Sequence, residues 1–229
     1  MIDLHSHILP EMDDGSKSPA ESAALLQMLQ QQGVTTVAAT PHFYAKETPE
    51  DFLKRRQEAV AKLPLLEGGP EILLGAEVAY FSGMGSCEAL IPLQIENSKL
   101  LLIEMPFQDW SENVVEDICE IPVQLGLIPV LAHINRYTGK HQFPKYKDLL
   151  LQSGVLFQCN AEAFLSFGSR RWALDQLKKG YIHFLGSDCH NQDKRPPQLD
   201  RANDIITKKF GRIFLRQFYK DSENLLNNK

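Results

Sequence analysis

Two histidines flank a serine in His5-Ser6-His7, and in an extended segment residues two apart face the same side, so both imidazoles can reach one metal ion. Alone, such a pair is more often an ordinary surface or core feature. Here it heads a series. His42, Glu77, Glu104, His133, and Asp188 with His190 each follow a short apolar run, and Asp14 stands in Asp13-Asp14-Gly15. Five of the seven histidines and four carboxylates are therefore in register, while His141 and His183 fall outside it. Nine nitrogen and oxygen donors exceed what one ion can use and suffice for two or three, especially if a carboxylate bridges. A set without thiolate suits manganese, iron or zinc rather than copper or an iron–sulfur cluster. Four clustered carboxylates would repel one another, whereas three divalent cations would leave the site net positive and attractive to an anion, phosphate first.

Something must bring these residues to one point. Apolar runs at Val34 to Ala39, Ile72 to Leu74, Leu100 to Ile103, Leu127 to Ala132, Val155 to Phe157 and Ile182 to Leu185 each suit a buried strand. Helix starts lie between them. Ser18-Pro19-Ala20-Glu21 offers a cap, a first-turn proline and a capping-box glutamate, with Leu25, Met28 and Leu29 as the inward stripe, and Thr48-Pro49-Glu50-Asp51 repeats the logic. Gly33, Gly126, Gly154 and Gly180 stand between a helix and the next strand. The pattern is βα repeated about seven times. An open sheet would spread the polar strand-end residues along a crevice, whereas a barrel converges them on its upper face, and the chain is read as an αβ barrel.

With 229 residues and 43% hydrophobic content, one domain over 1–229 is expected. A net charge of −5 without a Lys/Arg-rich block speaks against nucleic-acid partners. The N-terminus lacks a signal-peptide pattern and no apolar run approaches a membrane span, so a cytoplasmic protein without direct membrane insertion is expected. Cys87, Cys119, Cys159 and Cys189 form no close pairs, and most of them read as buried thiols in a reducing compartment.

The segments Met1 to His7, Asp13-Asp14-Gly15, Thr40-Pro41-His42, Gly75-Ala76-Glu77, Leu102-Ile103-Glu104, Ala132 to Tyr137 and Ser187 to Asn191 together resemble the polymerase and histidinol phosphatase (PHP) superfamily. Within it they are most similar to the bacterial tyrosine phosphatases of capsule and exopolysaccharide operons. The resemblance runs to about residue 226, loosely over 47–70 and 81–98. It implies a distorted (β/α)7 barrel with three divalent metals, usually manganese. His5, His7, Glu77 and Asp188 would hold one ion, Glu77, Glu104 and His133 a second with Glu77 bridging, and Asp14, His42 and His190 a third. Arg136 and Arg195 match the family's phosphate-binding arginines, and Asn135 stands where relatives often carry Glu. The partner implied is a tyrosine-phosphorylated protein, the flexible tail of a bacterial tyrosine kinase.

Cations at such a site would activate water for in-line attack on phosphorus, with Arg136 and Arg195 neutralising the phosphoryl oxygens. Metal-bound water or a third-metal ligand such as His42 could serve the departing phenolate. Phe43, Tyr44, Tyr80 and Phe81 are candidates for an aromatic rim. Cys189 and Arg195 also satisfy the Cys-x5-Arg spacing of thiol phosphatases, but the intervening residues lack glycine and carry Asp193, which disfavours a phosphate cradle. The rival readings are a small-molecule phosphatase such as histidinol phosphatase and a non-catalytic metal-holding module.

Overall fold

In the computed structural model, which describes residues 1–64 and 66–227, parallel strands alternate with helices along the chain. The strand segments are β1 (Ile2–Ser6), β2 (Thr36–Ala39), β3 (His42–Phe43), β4 (Glu71–Leu74), β5 (Glu77–Ala79), β6 (Leu100–Glu104), β7 (Ile128–Leu131), β8 (Leu156–Asn160) and β9 (Phe184–Gly186). The helices are α1 (Pro19–Gln31), α2 (Pro49–Val60), α3 (Glu112–Gln124), α4 (Phe143–Gln152), α5 (Glu162–Leu165), α6 (Arg170–Lys178), α7 (Leu199–Phe210) and α8 (Arg212–Leu226).

Strands β1, β2 and β4 pair in that order, and β3, β5, β6, β7, β8 and β9 form a second run. The two runs are parts of one wall. Ala39 lies opposite Leu74 and His42 opposite Glu77, and between them the Gly75 and Glu77 N–H groups donate to the Ala39 and Pro41 carbonyls at 2.9 and 3.0 Å. The register therefore carries through both interruptions, which fall at Pro41, lacking an N–H, and at Gly75-Ala76. With β2/β3 and β4/β5 each counted once, the wall has seven strands. It closes where Ser6 bridges Cys189, with the Asp188 N–H on the His5 carbonyl at 2.8 Å and the His7 N–H on the Cys189 carbonyl at 3.0 Å. The result is the distorted (β/α)7 barrel.

Alternate strand residues fill its interior. Ile2, Leu4, Ala38, Leu73, Leu100, Leu102, Val130 and Phe184 are buried in one cluster, which Leu226 of α8 joins. A fully buried leucine contributes about 2 kcal/mol by area. Strict alternation would turn His5 away from the side taken by Leu4. The β1/β2 register shifts between Asp3 and Ser6, and His5, inside that irregular stretch, lies against Glu77 and Gln158.

The helix caps follow the sequence with one displacement. Ser18 Oγ accepts the Glu21 N–H at 3.2 Å, but Glu21 Oε2 reaches back to the Lys17 N–H at 2.7 Å, one residue earlier than the simple box. The buried stripe of α1 is Ser22, Leu25, Leu26 and Leu29, and Met28 is only half-buried. The last strands also start or end later than their apolar runs. β8 continues from Phe157 to Asn160 because Gln158 and Asn160, polar but buried, pair with each other and along β9.

Candidate metal centre

Every strand except β8 delivers at least one ligand-type side chain to the same end of the barrel. His5 lies within β1 and His7 just past it, His42 opens β3, Glu77 opens β5, Glu104 closes β6, His133 follows β7, and Asp188 and His190 follow β9. Glu77 is the hub. Its Oε2 lies 3.1 Å from His5 Nε2, 3.3 Å from His7 Nε2 and 3.1 Å from His42 Nδ1, and its Oε1 lies 3.0 Å from His133 Nε2. Glu104 stands 3.3 Å from His133 Nε2. Asp14, 65% exposed at the edge of the mouth, stands 3.3 Å from His190 Nε2 and 3.6 Å from His42 Nε2. All nine residues singled out by spacing thus form one connected cluster.

The donors have the character of a cation site. Among the described residues, His42 Nδ1, Glu77 Oε2 and His190 Nε2 are buried without a hydrogen-bond partner, because their lone pairs converge instead of meeting N–H groups. Leaving such groups unpaired is costly, and a divalent cation with nitrogen and oxygen preference would satisfy them. Three groups have donor atoms within 4.8 Å of one another: His7, Asp14, His42 and His190; His5, His7 and Glu77; and His42, Glu77 and Glu104. His7 and His42 each stand between two groups, more shared than the family resemblance implies.

Electrostatics ties the cluster together. Burial raises the Glu77 and Asp188 carboxyls, but the surrounding imidazoles, His5 first, outweigh it and hold both well below the usual carboxylate range. Burial likewise opposes charge on His7, yet the hydrogen bond to Asp13 and those to Asp188 and Glu77 pull its pKa above the ordinary value. Asp13 is not itself among the nine. Its Oδ2 holds His7 Nδ1 at 2.7 Å and the His42 N–H at 2.9 Å, which turns His7 Nε2 toward the centre.

The two arginines close on one carboxylate. Arg136, on the turn after His133, donates from Nη2 to Asp188 Oδ2 at 2.6 Å, and Arg195 Nη2 lies 2.8 Å from Asp188 Oδ1. Both are part-exposed. Asp188 and Arg195 also line a cavity of about 220 Å³ with Asn160, Glu162, Ser187, Lys194, Pro196 and Gln198.

The thiol alternative fails on geometry. Cys189 is fully buried, and burial together with the Asp3 carboxylate pushes its thiol up to about 12. The N–H groups that a phosphate cradle would need are spent: those of His190 and Asn191 donate to the Arg195 carbonyl, and those of Asp193, Lys194 and Arg195 to Asn191 Oδ1.

The aromatic rim differs from expectation. Phe43 is buried against Phe52, Phe81 packs on the core, and the Tyr80 hydroxyl donates to Asp117 at 2.6 Å. Tyr44 does reach the mouth, stacked on His42 with centroids 5.5 Å apart. Phe107, which the sequence reading missed, is 59% exposed and lies nearly parallel to the His133 ring at 6.2 Å. Its signal was available, since it follows the strand that ends in Glu104. Asn135 takes no place among the donors; its Oδ1 accepts the Asn160 N–H at 3.0 Å.

The chain matches the family model described as capsular polysaccharide synthesis, CpsB/CapC, over residues 1–227. It is 33% identical to the tyrosine-protein phosphatase CpsB of Streptococcus agalactiae, covering 100% of this chain and 99% of that one. The tyrosine-protein phosphatase YwqE of Bacillus subtilis is 28% identical, with 100% and 92% covered. Among solved structures, one from a study of YwqE and Streptococcus pneumoniae CpsB, described as metal-dependent tyrosine phosphatases, superposes with a TM-score of 0.82 at 25% identity over 100% of this chain and 96% of that one.

Proposed function

Because the chain belongs to the CpsB/CapC family of capsular polysaccharide synthesis, we propose that it is a metal-dependent protein-tyrosine phosphatase, working as one catalytic domain over residues 1–229. The observation that carries this reading is the convergence of unpartnered imidazole and carboxylate donors beside two guanidinium groups. No described helix is long and apolar enough to cross a membrane. The sequence points to a cytoplasmic enzyme, and the family resemblance to a tyrosine-phosphorylated protein, the tail of a tyrosine kinase, as its substrate.

His5, His7, Asp14, His42, Glu77, Glu104, His133, Asp188 and His190 would hold three divalent cations, manganese first, with iron or zinc as alternatives. Glu77 suits a bridging role, having imidazoles at both oxygens. When bound, such cations withdraw charge from the phosphoryl group and acidify water. The protein's own groups do the rest. Arg136 and Arg195 bind phosphoryl oxygens and neutralise the charge that grows on them. Tyr44 and Phe107 give the substrate ring apolar walls. His42, 14% exposed beside Tyr44, would hold the outer cation near the leaving oxygen, where water can supply the proton. A phenolate, with a conjugate-acid pKa of about 10, asks little of that donor.

The test compares kcat/KM for a phosphotyrosine peptide, a phosphoserine peptide and histidinol phosphate on one Mn2+-loaded sample, with a chelated sample alongside. Preference for the phosphotyrosine peptide, lost on chelation, is expected. Preference for histidinol phosphate, or full turnover in chelator, would overturn the reading.

A further inference from the structure

β8 is the strand that gives the centre no ligand, yet its last inward residues touch three of the ligands. Gln158 is fully buried, and its Oε1 accepts the backbone N–H of His133 at 2.6 Å. An N–H can only donate, so the atom facing it is the amide oxygen. Gln158 Nε2 then donates to Asn160 Oδ1 at 3.0 Å, which in turn presents Asn160 Nδ2 to Asp188 Oδ2 at 2.7 Å. Both amide orientations follow from that one backbone donor.

The same Gln158 oxygen lies 3.3 Å from His5 Nδ1. Because the oxygen only accepts, His5 must carry its proton on Nδ1. Its Nε2 lone pair is thereby left for the centre, where it faces Glu77 at 3.1 Å and Asp188 at 3.7 Å. The relay also bears on backbone geometry. His133 and Asp188 adopt left-handed conformations, φ +33° and +52°, that non-glycine residues rarely hold without outside support. Gln158 binds the backbone of the first and Asn160 the side chain of the second. Space for the relay is made at Gly186, where a Cβ would lie 2.5 Å from Gln158 Nε2 and 2.7 Å from the His5 Cβ.

We propose that Gln158 and Asn160 are positioning residues, an amide relay that fixes the His5 tautomer and holds His133 and Asp188 in metal-binding orientation. The inference rests on the site being a metal centre and not on the identity of the phosphoester.

Mn2+ titration of metal-free protein by calorimetry tests it directly, with thermal melting of the metal-free forms as the control for folding. Q158L and N160D should bind at least one Mn2+ about 10- to 100-fold more weakly, the usual effect of losing an outer partner of a ligand. N160D keeps the acceptor for Gln158 but sets a carboxylate against Asp188. Lower melting with unchanged Mn2+ affinity and stoichiometry would make the pair simple packing and overturn the proposal. Should Q158L fail to fold, Q158E retains the volume while placing an acceptor against Asn160 Oδ1, and wild-type Mn2+ affinity there would be equally fatal. The wild type gives an independent reading. In Zn2+-loaded protein, 15N NMR of the histidines should show His5 protonated on Nδ1, and a proton on Nε2 would refute the relay. These readouts are separate from turnover, so a chain that shows them without cleaving phosphotyrosine would sink the proposed function alone.

Discussion

Arg136 reaches across the barrel mouth to Asp188, Nη2 to Oδ2 at 2.6 Å, although the two residues follow different strands. The contact holds a half-exposed guanidinium at the edge of the donor cluster, ready to exchange part of its bonding to a phosphoryl oxygen. Arg136→Ala should therefore reduce phosphotyrosine turnover by roughly a hundredfold, since losing one preorganised charge partner costs about 3 kcal/mol of transition-state stabilisation. Arg136→Lys should recover only part, because an ammonium lacks the planar fork. Metal content by elemental analysis should stay near wild type in both. Wild-type rates in both would place Arg136 outside the chemistry.

Cys189→Ser should retain most of the turnover, because the thiol is buried, protonated and flanked by N–H groups already engaged. His5→Ala should behave in the opposite way, losing bound metal and turnover together. Steady-state assays with metal analysis on the two variants separate the mechanisms. A thousandfold loss in Cys189→Ser at unchanged metal content would restore the thiolate as nucleophile.

The loop that carries Asp14 depends on the absence of a side chain at Gly15. A Cβ there would sit 2.4 Å from the His7 Cβ and 2.5 Å from the His7 carbonyl oxygen. Gly15→Ala must push the Asp13-Asp14 segment outward, taking Asp13 from His7 Nδ1 and Asp14 from His42 and His190. The expected outcome is weaker occupancy of the metal group built on those residues, with a stability loss of about 1 to 3 kcal/mol from overpacking. Metal stoichiometry after dialysis, set beside urea denaturation, reads both. Unchanged stoichiometry would show that the loop can yield without cost to the site.

These contacts also show what a linear reading could and could not see. Eight of the nine donors were legible because they lie at or after an apolar run, and a βα repeat leaves little choice about where a strand-end residue points; Asp14, in the loop after β1, was legible only through Asp13-Asp14-Gly15. The continuation of these strands past Pro41 and Gly75-Ala76 was hidden, since the apolar runs stop at Ala39 and Leu74 while the pairing hydrogen bonds carry on. Gln158 and Asn160 were missed for a related reason. Polar residues at the end of an apolar run look like a strand terminus, and only the pairing with β9 shows that the strand goes on. Phe43 was offered for the rim because sequence cannot tell which side of a two-residue strand faces the core; it faces Phe52, and Tyr44 takes the mouth. The paired arginines of Asp188 come from turns whose approach no spacing rule encodes.

His183, outside the ligand register, gives a pH dependence of stability. Its Nδ1 accepts the Phe157 N–H at 3.0 Å, and burial pushes its pKa down to about 4, against an ordinary value near 6.5. The folded protein thus holds this ring neutral where the unfolded chain would protonate it. Stability from this residue is fully present above about pH 6.5 and is lost as pH falls toward 4, because the unfolded state then binds the extra proton. The total is at most about 3 kcal/mol for a shift of this size. Asp3 works in the opposite sense, since burial raises its carboxyl to about 6 and its unfolded form gives up a proton first as pH rises. The wild-type curve alone is therefore a sum of opposing slopes. His183→Gln removes one of them, keeps an acceptor for Phe157, and leaves Asp3 and the metal ligands as they are. Urea unfolding of both proteins between pH 7 and 4.5 should show the wild type losing roughly 2 kcal/mol more than the variant on acidification. Parallel curves would mean that His183 titrates as it does in the unfolded chain, and that its bond to Phe157 does not hold the ring neutral.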